Sequence, residues 1–441
     1  MKLTVKILLA VLLPMLFLSR LFIPGFSSEP VSFPTPETLP VSVEPLPLSV
    51  YCPGAFAEIG GESGIELGAI ERIGEASIYL NTGDGELLVD PGLRASEGAL
   101  AKITGSDQST NLLSAIQAQG VVRERASGMM ASYCPQPAFS GWFISGAASV
   151  GYESALLVAN PNDQEVQMEI IITFPDGQVS DQLTLAAQEN RVVPLSSLVF
   201  QQPIFTLSFQ TSGQPISVAM QQRATFGLST RGVDLQSPVA QPTTDSLITG
   251  LSVGSAGFEP AVARLFNPGQ IPTEVVITAI SGQSTQVVRA QLAAGELSEL
   301  ELDLIDGEYL VQVQSAQPIL VGIRNPVIQP TIDFSWLTAS ELFTDLTLPI
   351  PDYKSTLYLA NPGASPITLN LQVTTGDKQQ YQSFEIPALA QISVPVSGDS
   401  LRLGSASEFA ASLEILDVPG YAVIRPTENQ NFGDELLVSV R

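Results

Sequence analysis

The chain has 441 residues, of which 44 are acidic, 19 basic and none histidine, giving a formal net charge of -25. So few Lys and Arg exclude nucleic acid as a partner, since phosphate binding needs a basic surface, and the lack of histidine removes the commonest general base and metal ligand. Hydrophobic residues are 44% of the chain and charged ones 14%, the rest being rich in Gln, Ser, Thr, Gly and Pro; this is an all-β, turn-rich composition, long enough for three or four domains at about 100 to 150 residues each.

Lys2 and Lys6 precede an apolar run from Ile7 to Leu18, which Ser19 and Arg20 interrupt before Leu21 to Phe26. Residues 1–26 therefore read as an export signal, cleaved near Gly25 to Ser27 or kept as a membrane anchor. Either way the bulk of the chain is exported, extracellular and tethered to the cell membrane, or secreted. From 27 to 47 the prolines at 30, 34, 36, 40, 45 and 47 mark an extended spacer. The acidity, spread along the chain, suits solubility at a cell surface.

Cys52 and Cys134 stand in matching settings, Tyr51-Cys52-Pro53 and Tyr133-Cys134-Pro135. In an exported protein such a pair is most simply one disulfide. Closing a loop of about eighty residues stabilises by roughly 4 to 5 kcal/mol in the chain-entropy account. Residues 48–130 form an N-terminal region, hardest to read between the cysteines. Ala76 to Leu80 and Glu86 to Asp90 flank Asp84-Gly85, a hairpin signal. Leu112 to Gln119 reads as a short helix or a loop. Gly120 to Arg125 faintly echoes the closing strand of later repeats, as in a degenerate extra copy.

The remainder is repetitive. Leu156-Leu-Val-Ala-Asn160-Pro161 returns as Ala263-Arg-Leu-Phe-Asn267-Pro268 and as Leu357-Tyr-Leu-Ala-Asn361-Pro362. An apolar run ending in Asn-Pro is a strand stopped by a turn. Each copy then has a turn dipeptide, at Asp176-Gly177, Ser281-Gly282 and Gly376-Asp377, and a strand landmark at Leu185, Leu292 and Ile386. Such self-similarity means repeated domains, placed at 131–240, 241–335 and 336–441. About seven short strands per copy predict tandem immunoglobulin-like antiparallel β-sandwiches.

No catalytic constellation emerges. Gly250-Leu-Ser252-Val-Gly254 matches a nucleophile elbow, but that motif needs a strand-to-helix turn and a histidine base. Asn81, Asp84 and Glu86, or Asn160, Asn162, Asp163 and Glu165, offer oxygens for calcium without a recognised spacing. No soft-ligand cluster accompanies the cysteines. Catalytic residues, metal ligands and a cofactor site are therefore not expected. Arg223, Arg324 and Arg425 recur after closing strands, and with Trp142 and Trp336 they are the candidate ligand contacts. Tyr152, Tyr353 and Tyr358 complete the aromatic set, which serves sandwich cores as readily as sugar stacking.

An N-terminal membrane segment, Cys52-Pro53, and Cys134-Pro135 leading through Trp142-Phe143 into Leu156 to Pro161 and Asp176-Gly177 together resemble a family of uncharacterised exported actinobacterial proteins with a domain of unknown function. The resemblance implies an envelope location and no activity. The expectation is a non-enzymatic, membrane-tethered envelope protein whose repeats scaffold or bind wall polymer or a surface protein. The alternatives are a carbohydrate-binding accessory subunit of an envelope-synthesis enzyme and a hydrolase using paired carboxylates.

Overall fold

The computed structural model describes residues 37–42, 48–60, 69–83, 86–103, 113–254, 258–282, 284–428 and 435–440. The predicted signal or anchor lies outside them, as do Asp84 and Gly85. The described chain is all-β, its one short helix being the 3-10 turn Leu195–Ser197. Glu37–Ser42 pairs antiparallel with Glu435–Val440 in a small unit of its own. The expected spacer thus contains a paired strand, and the last strand of the chain joins it instead of the third repeat.

Residues 45–432 make one compact unit rather than a string of separate bodies. Within it the three repeats share one strand order. In the first, Tyr152–Ala159 lies between Asn190–Pro194 and Ser217–Phe226, while Val166–Phe174 lies between Gly177–Leu185 and Thr206–Ser212. Gly213 to Pro215 divides Thr206–Ser212 from Ser217–Phe226, so two four-stranded sheets result. The second and third repeats keep the corresponding strands continuous, as Gly307–Val327 and Ser400–Asp417. These long strands pair on both halves, and each repeat becomes one curled seven-stranded sheet. The concave sides bury alternate residues, such as Met168, Ile170 and Ile172 against Leu156 and Val218, as strand period dictates.

The repeated asparagines explain why the copies match. Asn160, Asn267 and Asn361 are at most 1% exposed. Each donates its amide nitrogen to a carbonyl four residues on, at Gln164, Ile271 and Ser365, and to another across the fold at Ala186, Ala293 and Pro387. Each side-chain oxygen accepts an N–H two residues on, from Asn162, Gly269 or Gly363. One side chain thus satisfies the turn's buried backbone, which would otherwise cost about 1 to 3 kcal/mol per group.

The N-terminal region departs from its reading in two places. Residues 114–122 are a strand, Ser114–Val122, not a helix or loop, because Ile116 and Ala118 pack into the third repeat's core. Ala76–Asn81 and Leu87–Val89 do not pair with each other; the first joins Ser114–Val122 and the second joins Ala99–Ile103. Long-range burial overrides the local turn signal. Cys52 and Cys134 form the disulfide, both buried. Amides of Gln117, Gln119 and Gln221 hold the backbone of Gly54, Phe56 and Ala57 beside it.

Each of the four regions ends in a hairpin whose returning strand reaches the centre: Ser127–Tyr133, Ser229–Gln236, Asp333–Thr338 and Gly420–Ile424. Each packs on the next, and the last on the first. All four meet at the Asp333 carboxylate, which is fully buried. Its Oδ1 accepts the N–H groups of Val233 at 3.0 Å and Phe334 at 2.9 Å. Its Oδ2 accepts those of Met129 and Tyr421, both at 2.8 Å. The residues before those donors are Gly128, Gly232, Asp333 itself and Gly420. A Cβ on Gly128, Gly232 or Gly420 would lie 2.5, 2.3 or 2.1 Å from an Asp333 oxygen, so glycine is needed at all three. Burial pushes the Asp333 carboxyl well above its ordinary range, and the four donors pull it back.

Replacing Asp333 by Asn turns amide hydrogens toward N–H groups, and Ala leaves four donors unpaired. Both variants are expected to lose on the order of 3 to 5 kcal/mol in chemical denaturation; a loss within experimental error would show that the junction does not depend on this group.

Glu414 gives a pH signature. It is 4% exposed, and burial lifts its pKa to about 7, with the Tyr358 hydroxyl opposing. Folding therefore favours the protonated acid. Its contribution is complete below about 4.5, the unfolded value, and is lost as pH rises through about 7. Denaturation midpoints measured across that window should fall for the wild type, and Glu414→Gln should flatten the slope.

Candidate functional site

The richest side-chain cluster lies where the first two repeats meet. Its origin is a break in the repeat pattern: three residues before the asparagine the copies carry Leu157, Arg264 and Tyr358. Strand Ala261–Phe266 therefore brings an arginine into a buried position, and Arg264 is 3% exposed. Its guanidinium donates to the carbonyls of Ile144 at 3.0 Å and Gly146 at 2.6 Å in the first repeat. It donates twice to Glu299 Oε1, at 2.8 and 2.9 Å. Trp336 lies beneath it, 4.6 Å from the guanidinium carbon to the ring centre. Burial lowers the Arg264 pKa and Glu299 opposes the shift.

Arg324 follows on the adjoining strand, opposite Val262 and Trp336 in the ladders. It lies 4.6 Å over the Phe334 ring, and its Nη1 is 3.2 Å from Glu259. Its Nε is buried with no hydrogen-bond partner. Glu259 is shared with Arg231, which sits near the rings of Phe226 and Phe258. Arg223 pairs with Glu153 at 2.9 Å. Burial raises the Glu153 pKa, opposed by Arg223. These four arginines face three glutamates in a chain of net charge -25.

The cluster encloses a cavity of about 250 Å³, lined among others by Tyr152, Gln222, Arg264, Glu299, Arg324 and Trp336. A second cavity of about 350 Å³, with Arg125, Glu153 and Arg223, shares its Ser149 and Tyr152 wall. Tyr152 is 42% exposed.

Of the residues singled out from sequence, the structure brings Tyr152, Arg223, Arg324 and Trp336 to these cavities. Trp142 is half-buried against Phe266, ring centres 6.2 Å apart. The arginines do not occupy equivalent places. Arg223 faces Glu153 across the ladder, Arg324 faces Val262, and Arg425 follows the last central strand, where it donates to the Pro238 carbonyl. The shared spacing to a closing strand hid a difference in register. Arg231, Arg264, Glu259 and Glu299 were not singled out; the charged residue inside an apolar repeat motif was the available signal for Arg264. Ser252 of the elbow-like motif sits within strand Thr243–Val253, and its carbonyl accepts from Asn325. Asn160 spends its side chain on the turn. Among the described residues no group of three or more His, Cys, Asp or Glu stands together as a metal site.

The sequence from 94 to 397 matches a family model described as a family of unknown function, DUF5719. This protein belongs to that family. The DUF5719 stretch takes in Cys134, both cavities and Asp333, and leaves Cys52 and the third repeat's closing hairpin outside. No curated protein matches the chain. A solved structure, the Thermotoga maritima 1070 protein, aligns over 24% of this chain and 96% of its own at 12% identity, with a TM-score of 0.22, too slight a likeness to assign even a shared fold.

The two stacked arginines should separate in mutation. Arg264→Met removes a buried charge that holds Glu299 and two carbonyls, with an expected loss of about 3 to 5 kcal/mol. Arg324→Met, whose one partner is a half-exposed carboxylate, should cost about 1 kcal/mol or less. Equal losses in denaturant titrations would contradict this division of roles.

Proposed function

We propose that this DUF5719 protein is a non-enzymatic cell-envelope protein, a set of immunoglobulin-like sandwiches held outside the cell by its N-terminal apolar segment, which binds wall polymer or a surface protein at the arginine-lined cavity. The observation that carries this is the cavity itself, where cationic and aromatic side chains converge in a strongly acidic chain. Ligand sites have this character: concave, largely apolar, with a few convergent polar groups. The disulfide supports an oxidising compartment. The resemblance to exported actinobacterial proteins supports an envelope of that kind.

The carbohydrate-accessory reading shares the cavity and differs in partner. It is weakened by the tryptophans, since Trp336 is 5% exposed with Arg264 over its ring and Trp142 packs on Phe266. A carboxylate hydrolase needs a protonated acid beside a free carboxylate, whereas Glu153, Glu259 and Glu299 are each tied to an arginine.

The full-length protein should cosediment with isolated wall material or crosslink to a surface protein, and Arg324→Gln should reduce that retention about tenfold, as loss of a charge-assisted contact does. Wild-type protein that engages neither, or retention unaffected by the substitution, would overturn the proposal.

A further inference from the structure

Resting on the reading of that cavity as a binding site, we infer that its ligand is an acidic sugar unit, a carboxylate or phosphate borne on one ring, and that Arg324 reads the acid group. The first support is an unmet donor. Arg324 Nη1 is engaged by Glu259 at 3.2 Å, while Nε is buried with no partner. A buried charged donor without an acceptor costs more than a neutral one. An incoming oxyanion relieves that cost once the Arg324 side chain turns this edge toward the cavity it lines, where the guanidinium presents parallel N–H groups at carboxylate and phosphate spacing.

The second support is the way the aromatic rings are used. In this cavity the rings of Trp336 and Phe334 each carry a guanidinium, Arg264 and Arg324, at 4.6 Å. A neutral sugar recognised by stacking needs an open ring face; Tyr152, 42% exposed, is left as the lining aromatic able to stack, since the faces of Trp336 and Phe334 hold cations. The rings instead position the guanidiniums and keep water from one side, which strengthens a charge-assisted contact. Arg264 is saturated by Glu299 and two carbonyls, so it supplies field and shape. Arg324 supplies the contact.

The third support is size and continuity. The cavity of about 250 Å³ is at the small end for ligand sites and holds the equivalent of about eight waters at roughly 30 Å³ each. That is room for one substituted ring, not for a folded segment. Tyr152 and Ser149 separate it from the second cavity, where Arg125 and Arg223 stand. A polymer with repeated acidic units has a place for its neighbouring residue there. Glu299 at the wall gives hydroxyl groups an acceptor, while the Gln222 amide nitrogen is spent on Ser145 and Ser154.

The experiment is calorimetric titration of the full-length protein with glucuronic acid, glucose 6-phosphate and glucose, at low and high salt. At least one acid should bind about tenfold more tightly than glucose, and salt should weaken it. The preferred acid assigns the source, carboxylate for a uronic-acid polymer and phosphate for a phosphate-bearing one. Arg324→Gln should abolish the preference while lowering the thermal midpoint by no more than a few degrees, and Arg324→Lys should restore only part of it, because an ammonium lacks the fork. Glucose binding as tightly as both acids, no acid binding at millimolar concentration, or an Arg324→Gln variant that keeps the preference would each overturn the inference. If wall retention still depends on Arg324 while the acids fail, the cavity reading stands and only the ligand class falls; if retention is independent of Arg324, both fall.

Discussion

One buried carboxylate orders the compact unit. The Asp333 oxygens each accept two backbone N–H groups, and the four donors come from the four hairpins that end the N-terminal region and the three repeats. An unpaired backbone N–H in such a place costs roughly 1 to 3 kcal/mol, so four strands that would each be penalised alone become mutually dependent. The approach is close enough to exclude a side chain at Gly128, Gly232 and Gly420. A single substitution in the second repeat, acid for the glycine found at the equivalent point elsewhere, thereby joins segments more than 200 residues apart in sequence.

The repeated asparagines act on a shorter range. Asn160, Asn267 and Asn361 each tie off their own turn, so each copy folds its strands in the same order. The glutamine amides beside the disulfide do the same for residues 54–57, against both the N-terminal hairpin and the first repeat. The protein thus uses uncharged amides within regions and at one junction between two of them, and an ionisable group where all four meet. Asp234, next to that point, accepts from Gln236, Ser335 and the Trp336 N–H, with burial lifting its pKa to about 6. Buried polar networks of this kind fix one arrangement because partial satisfaction is costly.

The cavity follows from this closure. Strand Asp333–Thr338 leaves the central carboxylate carrying Phe334 and Trp336, and the ladder sets Arg324 opposite Trp336. Arg264 approaches from the neighbouring strand and reaches into the first repeat's carbonyls. The residues that position the second repeat against the first therefore also make the wall of the cavity. This is why Arg264, bonded to Glu299 and to the first repeat's carbonyls, belongs to stability, whereas Arg324, with a buried donor unpaired in the same stack, is the residue we propose for binding.

The all-β character, the three Asn-Pro corners and the pairing of Cys52 with Cys134 were legible because each depends on local chemistry: alternation, turn-forming residues and matched cysteine settings. Arg223, Arg324 and Trp336 were legible as uncommon residues in an acidic, tryptophan-poor chain. The false hairpin at 76–90, the strand at 114–122, the unequal places of the three arginines and the role of Asp333 were not. In each case the deciding partner lies far away in sequence, and burial against it outweighs the local preference. Local pattern dictates which segments become strands and which corners they turn. Which strands meet is settled by closure of the fold, because a backbone N–H or a buried guanidinium donates to whichever acceptor closure brings within reach, and no local pattern records that acceptor.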